Sequence, residues 1–386
     1  MRKIYTIILI IIFLLTATVN SMEIKNSNTE DIDPLVDLEI TVNILKIRSL
    51  EHNDPQLYFR EIIDPDSKPD FYTKIIVNGK AFTSDIKWNT RYIYDTFHTV
   101  TVNVPDYSET VDIVIQLWDA ADGIETEDRL CDISKDSGDN SDSYDAEITY
   151  NLKTGRWTRD DYVGDSSGYG RLNGCDDGTI YEQNRDSELW FDITFNDYDT
   201  DGIPFYMETD VYGTDPTVND YDTDFDNDLV PTWWEHRYKY NPKDYDNHEI
   251  LDPDNDGITN LNEYRMFYMK SDPFVRDLFL ELDQMEEGPN GELSIFPQRA
   301  KEMLYTTHNR QNVIYHLDDG KYDGYSGSEF IPFDEITEFE ELYKIRNSYF
   351  YDTRPVDWWC EVFHYGVLIW ESSWVTGNAF GKNAFQ

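Results

Sequence analysis

Between Leu35 and Phe195 the chain alternates short β-rich runs with turns of Asp, Gly, Pro and Asn. The alternation is plainest from Val111 to Trp118, where Val111, Ile113, Ile115 and Leu117 take every second place. A period of two sends such residues to one face of a strand. Similar runs cover Leu38–Leu45, Phe71–Val77, Phe82–Trp88, His98–Val104, Ala146–Leu152 and Leu189–Phe195, with Cys131–Ser134 as a shorter eighth. Seven or eight strands without an amphipathic helix among them predict an all-β antiparallel sandwich. The stretch Asp160–Gly178 is rich in Gly and Asp and predicts a long surface loop.

The pattern changes after Phe274. Strands are predicted at Leu278–Leu282, Val313–Leu317 and Val362–Trp370, a helix at Gln298–Asn309, and an acidic amphipathic helix at Phe333–Phe350. That order is α/β, in a stretch short enough to be a partial domain. At the other end, Arg2 and Lys3 precede an apolar run from Ile4 to Val19, with small residues at Val19 and Ser21. This is the pattern of an export signal cleaved before Met22, and the run is short against the ~20 residues that span a bilayer. An uncleaved signal anchor is the alternative, and the only route to a membrane. A chain of 386 residues suggests two or three domains. The expected organisation is signal peptide 1–21, linker 22–35, sandwich 36–195, repeats 196–274 and α/β unit 275–386.

The repeats carry the clearest chemistry. Asp197, Asp199, Asp201, Ile203 and Glu208 recur as Asp224, Asp226, Asp228, Val230 and Glu235, and again as Asp252, Asp254, Asp256, Ile258 and Glu263, with starts 27 and 28 residues apart. Ca²⁺ takes six to eight oxygens. Carboxylates at positions 1, 3 and 5 of a tight loop point inward, position 7 adds its backbone carbonyl, and a glutamate at position 12 closes the shell with two oxygens. Position 6 turns sharply and favours Gly. Gly202 and Gly257 satisfy it, whereas loop two has Leu229 there. Calcium is therefore the expected cofactor, with loop two the weakest site.

Charge points the same way. Lys and Arg number 32 against 77 Asp and Glu, a net −45. A phosphate backbone has no basic face to meet here, so nucleic acid is not an expected partner. Export permits disulfides, and Cys131 and Cys175 are expected to pair, leaving Cys360 beside Trp358 and Trp359 as an apolar filler. With 28 Tyr and 10 Trp, a cell-surface protein or glycan is a candidate partner, although β-core packing uses the same residues.

Three resemblances follow from particular residues. Asp70 to Ile75 behind an acidic loop, and Trp118, Asp119 and Asp122 followed by Glu127, Asp128 and Leu130, make the sandwich resemble a C2 domain. That resemblance implies calcium held by Asp64 and Asp70 on one loop and by Asp119, Asp122 and Asp128 on another. The second loop departs from the family, its leading aspartates being three apart instead of two. The three Asp-rich loops, each followed by a short helix and a turn (Tyr212–Pro216, Tyr240–Pro242, Lys270–Pro273), resemble thrombospondin type 3 or dockerin-like, EF-hand-type repeats. Such arrays imply little hydrophobic core and order that depends on calcium. Finally, Arg276–Glu287, Ile314–Gly320, Phe363–Gly366 and Gly377–Gln386 resemble the opening of a metallopeptidase-like domain of archaeal and bacterial secreted proteins.

No zinc motif accompanies that last resemblance. The histidines are His52, His98, His236, His248, His308, His316 and His364, and no two are four apart. His316 and His364 read as strand histidines of a core or edge. The expected function is a secreted or surface-attached calcium-binding modular protein whose repeat linker is stiffened by Ca²⁺, in a structural, adhesive or substrate-positioning role. The alternative is the N-terminal portion of a secreted zinc metallopeptidase whose motif lies beyond this chain.

Overall fold

The computed structural model describes residues 38–50, 68–105, 108–121, 127–134, 144–161, 168–177, 186–309, 311, 313–319, 330–351, 358–371 and 384–385. The predicted signal peptide, the linker, and the candidate ligands Asp64 and Asp122 lie outside the described residues.

The first half is a sandwich of two antiparallel sheets. Its strands are β1 (Glu39–Ser49), β2 (Phe71–Val77), β3 (Lys80–Thr83), β4 (Tyr92–Ile93), β5 (His98–Asn103), β6 (Thr110–Asp119), β7 (Arg129–Cys131), β8 (Ala146–Asn151), β9 (Arg156–Arg159), β10 (Gly170–Asn173) and β11 (Ser187–Phe195). One sheet runs β10-β11-β1, with β4 and β5 both pairing β1; the other runs β3-β2-β6-β8-β9, with β7 on β6. The alternation read in the sequence becomes the shared core: Ile40, Val42 and Ile44 of β1 meet Ile113, Ile115 and Leu117 of β6 in one apolar cluster.

Local chemistry sets several boundaries. Asn78 and Gly79, at φ 47° and 80°, form a two-residue turn between β2 and β3 whose twist suits a hairpin. The run Phe82–Trp88 accordingly contributes only its start to a strand. A register shift between Ile44 and Lys46 bends β1. Beyond it both faces are covered, Lys46 lying over the Trp190 ring and Arg48 over Tyr305.

Two expectations are corrected here. The predicted surface loop Asp160–Gly178 contains β10, which is wholly buried and pairs with β11. Gly170 is required there, since an added Cβ would meet the Phe191 ring at 2.1 Å. The predicted disulfide is also absent: Cys131 and Cys175 are thiols, the first inside the sandwich core and the second directing its Sγ to Asp186 Oδ2 at 3.4 Å. Cys360 packs partly buried against the C-terminal core.

The C-terminal unit is a parallel sheet. It comprises β12 (Asp277–Met285), β13 (Ile314–Asp318), β14 (Phe330–Ile331), β15 (Phe363–Leu368) and β16 (Ala384–Phe385), in the order β13-β12-β15-β16, with β14 also on β12. In the repeats lie α1 (Thr232–Arg237) and α2 (Asn260–Met266), and around the parallel sheet α3 (Gln298–Asn309), α4 (Phe339–Ile345) and α5 (Trp359–Val362). The predicted helix Phe333–Phe350 starts late because Glu341 Oε2 accepts the Glu338 N–H at 2.8 Å and fixes the first turn. Among the described residues no helix is long and apolar enough to cross a membrane.

Candidate metal centres in the Asp-rich repeats

Each repeat folds by the same local rule. The position-1 aspartate caps its own loop: Asp197 accepts the Thr200 and Gly202 N–H groups, Asp224 those of Asn227 and Leu229, and Asp252 that of Gly257. The position-5 carboxylate accepts the N–H two residues on, from Ile203, Val230 and Ile258 at 2.8, 3.2 and 2.7 Å. Those position-7 side chains are buried and anchor the loops. Position 4 is left-handed in all three, at Thr200, Asn227 and Asn255.

Position 6 is left-handed as well, with φ 80° at Gly202, 83° at Leu229 and 96° at Gly257. A Cβ disfavours that conformation by about 1–2 kcal/mol. Leu229 is 54% exposed, so its side chain gains little burial in return. Leu229→Gly is therefore expected to raise unfolding free energy in chelator by about 1 kcal/mol, measured by denaturant titration. A loss of stability would show that Leu229 makes contacts worth more than the strain.

The first three carboxylates of each loop bring ligand atoms within 4.8 Å of one another. Behind them sit the position-12 glutamates: Glu208 on the turn Met207–Tyr212, Glu235 on α1 and Glu263 on α2, exposed by only 2%, 0% and 1%. Oε1 of Glu208, both oxygens of Glu235 and Oε1 of Glu263 have no hydrogen-bond partner, nor have the carboxylate oxygens of Asp199 and Asp226. Unpartnered buried carboxylates are costly, and a hard cation removes that cost. The donor set fits Ca²⁺: oxygen-rich, flexible and densely acidic.

Electrostatics register the same crowding. Without a cation, burial and then the neighbouring aspartates push Glu208 and Glu235 up to about 9. Burial and Asp256 push Asp254 up to about 8. Glu263 is driven well above its ordinary range by burial and by Asp277.

The sequence reading missed a further carboxylate in each repeat. Asp201 Oδ2 accepts the Asp220 N–H at 3.3 Å, Asp228 Oδ2 that of Asp246 at 3.3 Å, and Asp256 Oδ2 that of Asp277 at 2.7 Å. Asp220, Asp246 and Asp277 add their charge to the field on Glu208, Glu235 and Glu263 respectively. They lie outside the twelve-residue frame, so the signal was their recurrence after each loop.

The expectation of little hydrophobic core is corrected. Val230, Trp234 and Tyr238 form a buried cluster joined by Trp233, Tyr240, Tyr264, Phe267 and Phe274, and Ile203, Met207 and Tyr212 form another. The repeats also grip the sandwich, through Arg237 to Asp192 at 3.1 Å and Arg156 to the His236 carbonyl at 2.8 Å. A cavity of about 350 Å³ at this junction is lined by Tyr169, Tyr221, Trp233 and Arg237.

The sandwich loops are arranged differently. Asp119 Oδ1 accepts the Asp70 N–H at 2.8 Å, and Asp70 Oδ1 the Asn89 N–H at 2.5 Å. Asp128 takes the Tyr72 hydroxyl and the Ala121 N–H, both at 2.9 Å. These bonds tie the ends of β2 and β6. In the parallel sheet, His316 is buried, bonded through Nε2 to Asp277 Oδ1 at 2.7 Å and stacked on Phe279, while His364 is part-buried on β15.

No family profile matches the sequence, and no curated protein matches it. Among solved structures, human GIVD cytosolic phospholipase A2 aligns at 14% identity over 43% of this chain, with a TM-score of 0.25. A C2 domain of plant Extended Synaptotagmin 1 aligns at 10% identity over 43% of this chain and 98% of that domain, with a TM-score of 0.24. A structure described as a C2 domain aligns at 11% identity over 41% of this chain and 98% of its own, also at 0.24. The chain spans 17% of the length of the phospholipase.

Proposed function

We propose that this is an exported calcium-binding modular protein in which a C2-like sandwich, Asp-rich calcium loops and an α/β unit are held together by bound Ca²⁺. The observation that carries the reading is the repeated glutamate at position 12, buried and with oxygens left unpartnered behind three converging aspartates. Loops one and three match the calcium template at every position and are the principal sites. Bound calcium removes like-charge repulsion inside each loop and, through α1, α2 and the start of β12, stiffens the junctions with the sandwich and the parallel sheet. The role is structural, and the export signal expected from the sequence supports placement outside the cell.

Calcium titration of the chelator-stripped full chain tests this. Glu208→Gln and Glu263→Gln are each expected to remove one ion from the count. An unchanged count in both variants sinks the proposal. Ions retained when all three loops are disabled would assign calcium to the sandwich loops, which contain Asp70, Asp119 and Asp128. The metallopeptidase-like alternative draws on the motif runs now seen as β12, β13 and β15. Among the described residues, the four ligand clusters all lie in the repeats and none on that sheet.

A further inference from the structure

Loop two differs from its neighbours in more than Leu229. His248 enters its ligand set: Asp228, Glu235 and His248, all buried, bring one ligand atom each within 4.8 Å of the others. Loops one and three offer carboxylates alone in the corresponding clusters. His248 Nε2 lies 3.0 Å from Asp228 Oδ2 but has no hydrogen-bond partner, and both oxygens of Glu235 are likewise unpartnered. Three ligand atoms thus converge in a buried site, where Asp228 Oδ2 accepts the Asp246 N–H while His248 Nε2 and the Glu235 oxygens are left over.

The imidazole is held for this purpose. Trp234 and Tyr240 meet it edge-on, at 5.4 and 4.8 Å between ring centroids. Its other nitrogen, Nδ1, faces the Asn260 amide at 3.1 Å, and that amide also contacts the Tyr240 hydroxyl at 2.8 Å. Asn260 Oδ1 is buried without a partner. A half-turn of the amide, which exchanges atoms of nearly identical shape, sets Oδ1 against Nδ1. The oxygen then accepts the Nδ1 proton and leaves the Nε2 lone pair directed at Asp228 and Glu235. Metal-bound histidines are oriented by a bond of this kind on the far nitrogen.

We propose that loop two is a mixed nitrogen–oxygen site for a borderline divalent metal of the Zn²⁺ type, bound by His248 Nε2, Asp228 and Glu235. Imidazole suits Zn²⁺, whereas Ca²⁺ takes oxygen. Two carboxylates and one imidazole leave a fourth position for Asp226 or water. The residue that weakens loop two for calcium, Leu229, and the residue that adds nitrogen, His248, occur in the same repeat. The inference rests on the reading of the loops as metal sites but changes the metal for one of them.

The test is Zn²⁺ titration of the tag-free full chain, stripped of metal and then saturated with Ca²⁺. One zinc ion is expected to bind without displacing calcium from loops one and three. His248→Ala should weaken that binding by at least ~10-fold, and His248→Asp should do the same while adding calcium capacity at loop two. Calcium counts at loops one and three certify that each variant is folded. If a variant fails that check, electron-spin-echo spectroscopy of Cu²⁺ bound by the unmodified, calcium-saturated protein reads whether a single imidazole ligates. Absence of zinc binding by the unmodified protein, equal zinc affinity in folded His248→Asp, or no imidazole coupling overturns the proposal. Each of these leaves the calcium reading of loops one and three intact, which the glutamate variants decide separately.

Discussion

Millimolar Ca²⁺ is expected to raise the unfolding free energy of the chelator-stripped chain by about 5 kcal/mol, since two sites at 100 times their Kd contribute about 2.7 kcal/mol each. The sign of the pH dependence follows from the carboxylates. Without metal, Glu208 and Glu235 are pushed up to about 9 and Asp254 to about 8, above the ordinary carboxylate range. Groups raised in the folded state favour folding fully below their unfolded values, and that contribution is lost as pH rises toward the folded values. The chelated protein should therefore weaken from about pH 4.5 to about pH 9. Calcium must displace the protons these groups hold, so its stabilisation should grow over the same interval. Denaturant melts at pH 5, 7 and 9, with calcium and with chelator, measure both effects. Superimposable curves at pH 7 would remove calcium from the stability of this protein.

The chelated chain should still unfold cooperatively. The aromatic cluster around Trp234 is expected to survive loss of metal, because Val230, Trp234 and Tyr238 are fully buried against one another. This is where sequence pattern fell short. The Asp-x-Asp-x-Asp spacing is local, since every residue of a loop lies within twelve positions of its partners, and it was legible at once. Trp233, Trp234 and Tyr240 come from the second repeat and Tyr264 and Phe274 from the third, with no short period among them, so their convergence is a property of the fold. The same holds for β10: Gly170 to Asn173 resembles a turn by composition, yet Gly170 is there to admit the Phe191 ring. Pairing of the cysteines failed because a shared setting in the sequence does not bring two sulfurs to bonding distance, and both remain thiols. The sandwich was legible because alternation is the direct imprint of one buried face. The end carboxylates Asp70, Asp119 and Asp128 were legible as a group, but their engagement with backbone N–H groups was not.

Asp277→Ala is expected to cost about 3 kcal/mol of stability, through the buried hydrogen bonds it removes, and to weaken calcium at loop three. Asp277 opens β12 and is 6% exposed. Its backbone N–H bonds to Asp256 of the loop, while its carboxylate accepts His316 Nε2 at 2.7 Å, the Asp272 N–H at 3.1 Å and the Ser271 hydroxyl at 3.3 Å. The same Ser271 hydroxyl also lies against Glu263, the glutamate that closes the loop, so its one proton is shared between the two carboxylates. A single side chain thus connects the third loop to the strand histidine of the parallel sheet. Truncation removes the carboxylate that accepts the His316 nitrogen and the Asp272 N–H. Asp277→Asn keeps the shape and one acceptor oxygen, so it should retain the His316 bond and recover part of the loss. Urea melts of both variants, in calcium and in chelator, separate two contributions. A deficit equal in both conditions belongs to the hydrogen bonds, and an extra deficit in calcium belongs to the ion. If Asp277→Ala melts within about 0.5 kcal/mol of the parent in both, the loop and the sheet are not joined through this residue, and calcium at loop three has no path into the α/β unit by way of His316.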